Sequence, residues 1–268
     1  MNTFLFQQPF AIEKLNAVRI SLCCIVIVLL SFGPYDSFYV DTADWLYQPG
    51  WPFPWFPNLG IHFWTLKYLV IVLGICCIVN FQLWLIGPLF AISFLFFNFY
   101  ITGFSTTYWV TNTHLNFFAF ALCFEYPKNR VYSYGKASFI LAFMITYIAV
   151  LYFQAGLSKV IAGGFNWFFD GERIWIETIL LGTPFGKWLT QWPWIFIPMS
   201  LGTGVFELIL PFGFFFLNTR KIVAGIAIMF HLLTFAIMGI TFWFLWALFP
   251  AIFFYNPPLA KKMCFSLK

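Results

Sequence analysis

The chain has 268 residues, of which 62% are hydrophobic and only 9% are charged. Soluble domains carry about 25% charged residues, so these totals disfavour a soluble enzyme, a disordered regulator and a disulfide-stapled secreted domain. They predict an all-α polytopic membrane protein. The net charge of +5 comes from basic residues spread through the loops, which favours a role in membrane topology over nucleic-acid binding.

Apolar runs of the length needed to cross the hydrocarbon core occur eight times along the chain. They predict one domain over 1–268, built as a bundle of about eight transmembrane helices in the lipid bilayer. The break at Gly239 separates the last two runs. The runs lie at 15–32, 61–80, 82–101, 108–126, 137–161, 195–217, 222–239 and 241–256.

The basic residues predict how these spans are oriented. If the N-terminus is cytoplasmic, ten of the 14 Lys and Arg residues fall on cytoplasmic segments, and six of the nine acidic residues fall outside. The positive-inside rule therefore predicts that both termini are cytoplasmic; in a bacterium the membrane would be the inner one. The ten basic residues are Lys14, Arg19, Lys128, Arg130, Lys136, Arg220, Lys221, Lys261, Lys262 and Lys268.

Two predicted outer segments, 33–60 and 163–194, are too long to be simple turns. The first is rich in Pro and Trp, and the second mixes charges with five Trp residues. Indole rings prefer the membrane interface, so both segments are expected to form an outer cap, with a helix over 172–181 lying flat. Such a cap either covers a binding site or only seals the top of the bundle.

Ionisable residues inside apolar spans are costly and mark candidate functional sites. Glu207 and His231 lie on consecutive spans, each 12 residues from Thr219 at the turn between them. Both are therefore expected roughly 18 Å from that turn, at the same depth. Their pairing would be an acid–base or proton-relay pair, or else a polar contact that pins two helices.

Lys159 ends the segment Tyr152-Phe-Gln-Ala-Gly-Leu-Ser-Lys159 near the outer end of its span. Helical spacing puts Tyr152, Ala155 or Gly156, and Lys159 on one face. One interpretation is a lysine that extends to the membrane interface. The other is an inward-facing lysine whose desolvated amine serves as a base toward a weak acid such as a quinol hydroxyl.

The six cysteines include two vicinal pairs, Cys23–Cys24 and Cys76–Cys77, inside apolar runs. They serve either as small helix-packing residues or as a quinone-linked or other redox dithiol. The three histidines lack metal-ligand spacing, and HExxH, GxSxG, P-loop and GxGxxG motifs do not occur. No metal cofactor is predicted.

Several segments, in the same order, resemble the HTTM (horizontally transferred transmembrane) domain, which is shared with the membrane part of vitamin K-dependent gamma-carboxylase. The likeness covers nearly the whole chain. The segment Tyr152–Lys159, followed by Trp167 and Gly171, resembles the YxxAGxxK…W…G core of that family. The other matching segments are Val18-Arg19, Asn112-Thr113-His114, Glu207 to Pro211, Thr219-Arg220 and Phe230-His231.

The resemblance implies that Lys159 is the base that deprotonates a reduced quinone, either vitamin K hydroquinone or menaquinol, on the outer face. Oxygen would then yield an alkoxide that abstracts a glutamate proton, and carbon dioxide would add, which is lyase chemistry. His114 would lie in the same catalytic region. The further candidates for binding substrate or cofactor are Arg19, Asn112, Tyr152, Gln154, Trp167, Glu207 and His231.

The 268 residues contain no counterpart of the large lumenal domain that binds propeptide in the carboxylase. The leading hypothesis is therefore a quinol-dependent membrane enzyme that epoxidises its quinol without carboxylating protein glutamate. The alternative is a non-catalytic accessory protein that binds lipid, quinone or a small peptide and acts with a soluble outer-face partner, as in peptide-toxin maturation. A transporter is less favoured, because no inverted pair of broken helices is visible.

Overall fold

A computed structural model describes residues 8, 10–33, 62–103, 106–124, 133–240 and 246–256. Regular secondary structure in these residues is helical, without strands, which confirms the predicted all-α class. The α-helices are α1 (Ala11–Phe32), α2 (Phe63–Ile78), α3 (Leu83–Thr102), α4 (Thr106–Cys123), α5 (Tyr134–Gly163), α6 (Glu172–Leu181), α7 (Pro184–Leu189), α8 (Phe196–Leu208) and α9 (Arg220–Met238).

Five helical segments of the described chain are long and apolar enough to cross a membrane, as expected of an integral multi-pass membrane protein. They are α1, α3, α5, α9 and the stretch Pro193–Phe215, in which short 3-10 turns flank α8. The number found is five rather than about eight.

The other three predicted spans differ from the five for separate reasons. Helix α2 is apolar but has only 16 residues, about 24 Å at the standard rise. Helix α4 forms where the fourth span was expected but is not among the apolar segments. The eighth run begins with 241–245, outside the described residues, and includes a π-helical turn at Pro250–Phe254.

The chain divides into two compact units. The first comprises Met1–Gln8 and Ala142–Phe249, and the second comprises Pro9–Leu141 and Pro250–Lys268. The boundary falls within α5, so most of that helix belongs to the first unit. Residues 34–60 of the expected outer cap lie outside the described residues.

In the second unit, helices α1 to α4 pack against their neighbours in chain order. Helix α2 ends at Ile78 because Asn80 adopts a left-handed conformation with φ of 64°, which asparagine tolerates better than most residues. The Phe81 amide then donates to the Cys76 carbonyl at 3.0 Å, which closes the helix end. This turn leads directly into α3.

In the first unit, α5, α8 and α9 carry the polar groups considered below. Gly156 of α5 faces α8 without a side chain, since a Cβ there would approach the Glu207 Cβ to 2.9 Å. Helix α9 ends where the sequence predicted a break: Gly239 has a φ of 69°, and its amide donates to the Phe235 carbonyl. Glycine adopts this conformation at little cost.

The segment 163–194 folds within the first unit as a 3-10 turn at Phe165–Phe168 followed by α6 and α7. Helix α6 covers the predicted range 172–181. The Thr183 hydroxyl caps α7 by accepting from the Gly186 amide, and it also donates to the Ala236 carbonyl at 2.6 Å. The Thr183 amide donates to the Ile237 carbonyl at 3.0 Å. These bonds join the segment to the end of α9.

Candidate functional site

One face of α5 carries the candidate site. Tyr152, Gly156 and Lys159 follow one another at helical spacing, and each meets a residue of α8 or α9. The sequence predicted a face with Tyr152, Ala155 or Gly156, and Lys159, and Gly156 is a residue of that face that lies against α8. The glycine between the two long side chains permits the close approach of α8, which brings the Glu207 carboxylate within reach of the lysine.

Lys159 and Glu207 form an ion pair. The Lys159 ammonium donates to both carboxylate oxygens, with Nζ–Oε1 and Nζ–Oε2 distances of 2.8 and 2.7 Å. The lysine side chain is 26% exposed and that of the glutamate 8%. The pair therefore has a buried acidic side and a partly open basic side. Charge-assisted hydrogen bonds of this length are among the stronger ones in proteins.

Trp167 lies over the lysine from the short 3-10 turn that follows α5. The Lys159 Nζ is 5.3 Å from the centroid of the indole ring, within the range of a cation–π contact. Trp167 is itself buried, and its carbonyl accepts a hydrogen bond of 2.6 Å from the Ser200 hydroxyl on α8. This bond fixes the backbone that carries the indole ring.

A second polar pair lies two helical turns away on α5. The Tyr152 hydroxyl and the His231 Nε2 are 2.7 Å apart, and both side chains are buried. Their surroundings are aromatic: Phe206 packs edge-on against the Tyr152 ring at 4.9 Å and stacks on Phe230 at 4.1 Å. A phenol and an imidazole in this contact exchange a hydrogen bond whose direction depends on the histidine tautomer.

The structure assigns partners to Glu207 and His231 that differ from the expected pairing of these two residues. Glu207 takes its charged partner from α5 as Lys159, and His231 takes the phenol of Tyr152 from the same helix. The expected pairing followed from the equal depth of the two residues on α8 and α9. Helix α5 supplies a hydrogen-bonding group to each of them instead.

Neither interpretation of Lys159 from the sequence included its carboxylate partner, Glu207. Its side chain does not simply extend to the interface, since it is held by a buried carboxylate. Nor is it a desolvated amine in a wholly apolar pocket. The ammonium and carboxylate charges cancel, so the pair as a whole is neutral.

The remaining predicted site residues are outside this cluster or in the second unit. Gln154 is exposed on α5. In the second unit, buried Asn112 of α4 donates to the Asn98 side chain at 2.9 Å, and half-buried His114 lies on the same helix. Buried Arg19 donates from Nη1 to the Asn80 Oδ1 at 2.8 Å.

Sequence reasoning missed Ser200, Phe206, Asn80 and Asn98, which support these groups. Ser200 and Phe206 stand in an apolar run that shows no polar periodicity, so nothing marked them. Asn98 carried a usable signal, because an amide inside an apolar span needs a hydrogen-bond partner. In the structure the Asn98 side chain is 1% exposed and accepts from Asn112.

The described residues contain no group of three or more His, Cys, Asp or Glu side chains arranged to hold a metal ion. The groups that the site offers are an amine, a carboxylate, a phenol and an imidazole, all of which carry or accept protons. Comparison of the chain with protein-family models, curated proteins and solved structures finds no match.

Proposed function

We propose that the protein is a membrane-embedded enzyme that removes a proton from a hydroquinone, with Lys159 as the base. One observation carries the proposal: the Lys159 amine is partly open while its carboxylate partner is buried. A lipid-soluble weak acid can therefore meet the nitrogen, and Glu207 stays behind it. General-base catalysis requires this kind of access within hydrogen-bond reach.

Proton transfer within the ion pair makes Lys159 available as a base. When the ammonium proton moves to the Glu207 carboxylate, Lys159 becomes a neutral amine with a free lone pair. The amine then takes the hydroxyl proton of the quinol, and the resulting ammonium remains beside the quinolate anion. The new ammonium–quinolate contact offsets the charge that forms.

The aromatic surroundings suit the same substrate class. The Trp167 indole lies over the amine, so the nitrogen that would receive the proton stands beside an aromatic ring. The Tyr152–His231 pair, two turns along α5, is a second proton-exchanging group in the same unit. We assign it the role of orienting α5 and of exchanging protons after the quinol has reacted.

The finer features of the family resemblance belong to this proposal. They are an HTTM-like bundle of about eight spans and cytoplasmic termini. In that topology Lys159 lies at the outer face, where the quinol would react with oxygen to give an epoxide. The source of the acidic carbon would be a small peptide or partner protein.

The test is epoxide formation by purified protein supplied with reduced menaquinone or vitamin K and oxygen, followed by mass spectrometry. The wild type should form epoxide. Lys159→Ala should not, and Lys159→Arg should also fail, because a guanidinium stays protonated. Lys187→Ala is the matched control, since Lys187 is an exposed lysine on α7, and it should keep full activity.

Full activity in Lys159→Arg would contradict the assignment of the base. Glu207→Gln distinguishes the role of the pair in proton transfer from its role in quinone binding. A glutamine preserves the shape of the side chain but cannot take the lysine proton as a carboxylate does, so the rate should fall while quinone binding persists. Each variant must elute as a single species from a sizing column before its activity is compared.

A second candidate function is a non-catalytic membrane protein that binds lipid, quinone or a peptide through segment 163–194. The observation in its favour is the apolar surface of that segment. Leu180, Trp188 and Trp194 are 69%, 51% and 65% exposed. Folded protein that forms no epoxide, with or without bicarbonate and peptide, would favour this function; identification of co-purifying molecules would then name the ligand.

A further inference from the structure

Two cysteines of the second unit lie in the seam between α1 and α2. Cys23 and Cys77 are each 1% exposed. They belong to the two vicinal pairs, and their sequence neighbours point elsewhere: Cys24 is exposed and Cys76 is half-buried. Each pair therefore contributes one inward thiol and one thiol nearer the surface.

The contacts along the seam place these two thiols opposite each other. At one end, Arg19 donates to the Asn80 side chain at 2.8 Å. At the other, a Cβ on Gly74 would lie 3.4 Å from the Ile27 side chain. Cys23 stands halfway between Arg19 and Ile27, four residues from each, and Cys77 stands three residues from both Asn80 and Gly74. Antiparallel packing with this register brings the 23 and 77 positions to the same level.

The side-chain interactions agree with that register. The Cys23 and Cys77 side chains interact with each other, and the Arg19 guanidinium acts electrostatically on both sulfur atoms. Cys123 of α4 differs, because its thiol donates to the Ala119 carbonyl of its own helix at 3.2 Å.

We infer that Cys23 and Cys77 form a redox-active dithiol that closes to a disulfide between α1 and α2. Two S–H bonds break and one S–S bond forms. The two electrons and two protons pass to a membrane quinone, whose two carbonyl oxygens become the hydroxyl groups of a hydroquinone. The dithiol gives two electrons and two protons, which is the number that the reduction of a quinone to a hydroquinone requires.

A quinone is the oxidant class that the location favours. Helix α1 is one of the membrane-crossing candidates, and α2 is a shorter apolar helix. A water-soluble disulfide donor would have to leave water to reach thiols that are each 1% exposed, whereas a lipid-soluble oxidant partitions into the apolar environment that such helices occupy. The inference does not rest on the reaction proposed for Lys159, because that residue belongs to the other unit.

The experiment uses the full chain in phosphatidylcholine vesicles, reduced and then exposed to duroquinone, a fully substituted quinone that cannot alkylate thiols. Peptide mapping by mass spectrometry reports disulfides in the wild type, and the absorbance of duroquinol reports the electrons. We expect one duroquinol per chain and a 23–77 cross-link that a reductant removes. Lys159→Ala should give the same result, which separates this dithiol from the quinol-dependent enzyme.

Two matched variants locate the reaction. One keeps only Cys23 and Cys77, with the other four cysteines changed to Ser, and it should reproduce the wild type. The other carries Cys23→Ser and Cys77→Ser and keeps Cys24 and Cys76; it should form no duroquinol. A cross-link with diamide but not with duroquinone would overturn the quinone reaction. Folded wild type that gives no 23–77 cross-link with either reagent would overturn the dithiol itself.

Discussion

Gly156 lies directly against the base of the Glu207 side chain. A Cβ built on the glycine would stand 2.9 Å from the Glu207 Cβ and 2.8 Å from the Leu208 Cδ2. Since real Cβ atoms avoid such distances, α5 and α8 can approach this closely only because residue 156 has no side chain. The separation of these two helices sets the reach between Lys159 and Glu207.

Gly156→Ala should therefore push α8 away from α5 and lengthen the ion pair. Overpacking a close helix contact costs about 1–3 kcal/mol, so we expect a lower unfolding temperature in detergent together with weaker catalysis. Gly202→Ala is the control on α8, because a Cβ there meets nothing within 4 Å. It should be neutral or slightly stabilising. Equal unfolding temperatures and equal activities of the two variants would contradict the close approach of the helices at Gly156.

The coupling between Lys159 and Glu207 is measurable by a double-mutant cycle with Lys159→Met and Glu207→Gln. Exposed pairs couple by at most about 1 kcal/mol, whereas breaking a buried pair costs about 3–5 kcal/mol. The lysine is 26% exposed, so we expect a value between these limits. The measurement is the free energy of unfolding in mixed micelles, and strictly additive losses would argue that the pair does not form.

Tyr152→Phe should destabilise the first unit because it removes the hydroxyl that meets the His231 Nε2 at 2.7 Å. An imidazole left buried without this partner costs about 1–3 kcal/mol. In a His231→Leu background the same tyrosine change should cost less, since no imidazole remains to be satisfied. Unfolding of the four proteins of the cycle tests this. A Tyr152→Phe effect that is unchanged by the histidine substitution would show that the phenol acts elsewhere.

Gly186→Ala should detach α7 from the end of α9, because a Cβ on Gly186 would overlap the Ile237 carbonyl oxygen. Thr183→Val should have a related effect, since it removes an N-cap, a change that costs about 0.5–2 kcal/mol. Hydrogen exchange over residues 171–194 is the measurement, and both variants should exchange faster there than the wild type. Thr190→Val is the control, because that hydroxyl bonds locally, to the Lys187 carbonyl. Similar exchange in all three variants would contradict the attachment of α7 to the end of α9.

Several features followed from the sequence because they depend on local spacing. Apolar run length predicted α1, α3, α5 and α9, and the break at Gly239 predicted the end of α9. The helix over 172–181 followed from its charged and aromatic pattern. Helical geometry alone put Tyr152 and Lys159 on one face, since any α-helix brings residues seven apart close together in angle.

Which side chains meet across helices was decided by the tertiary structure. The sequence placed Glu207 and His231 at one depth. It did not show which other helix packs against α8 and α9 and supplies the partners of these two side chains. Gly156 brings α8 against α5, so Glu207 meets Lys159 and His231 meets Tyr152. In the second unit, the register set at Arg19 and Asn80 selects Cys23 and Cys77 from two vicinal pairs. Local pattern determines the helices, whereas close packing between them determines the partners, because a hydrogen bond or ion pair requires two groups within about 3 Å.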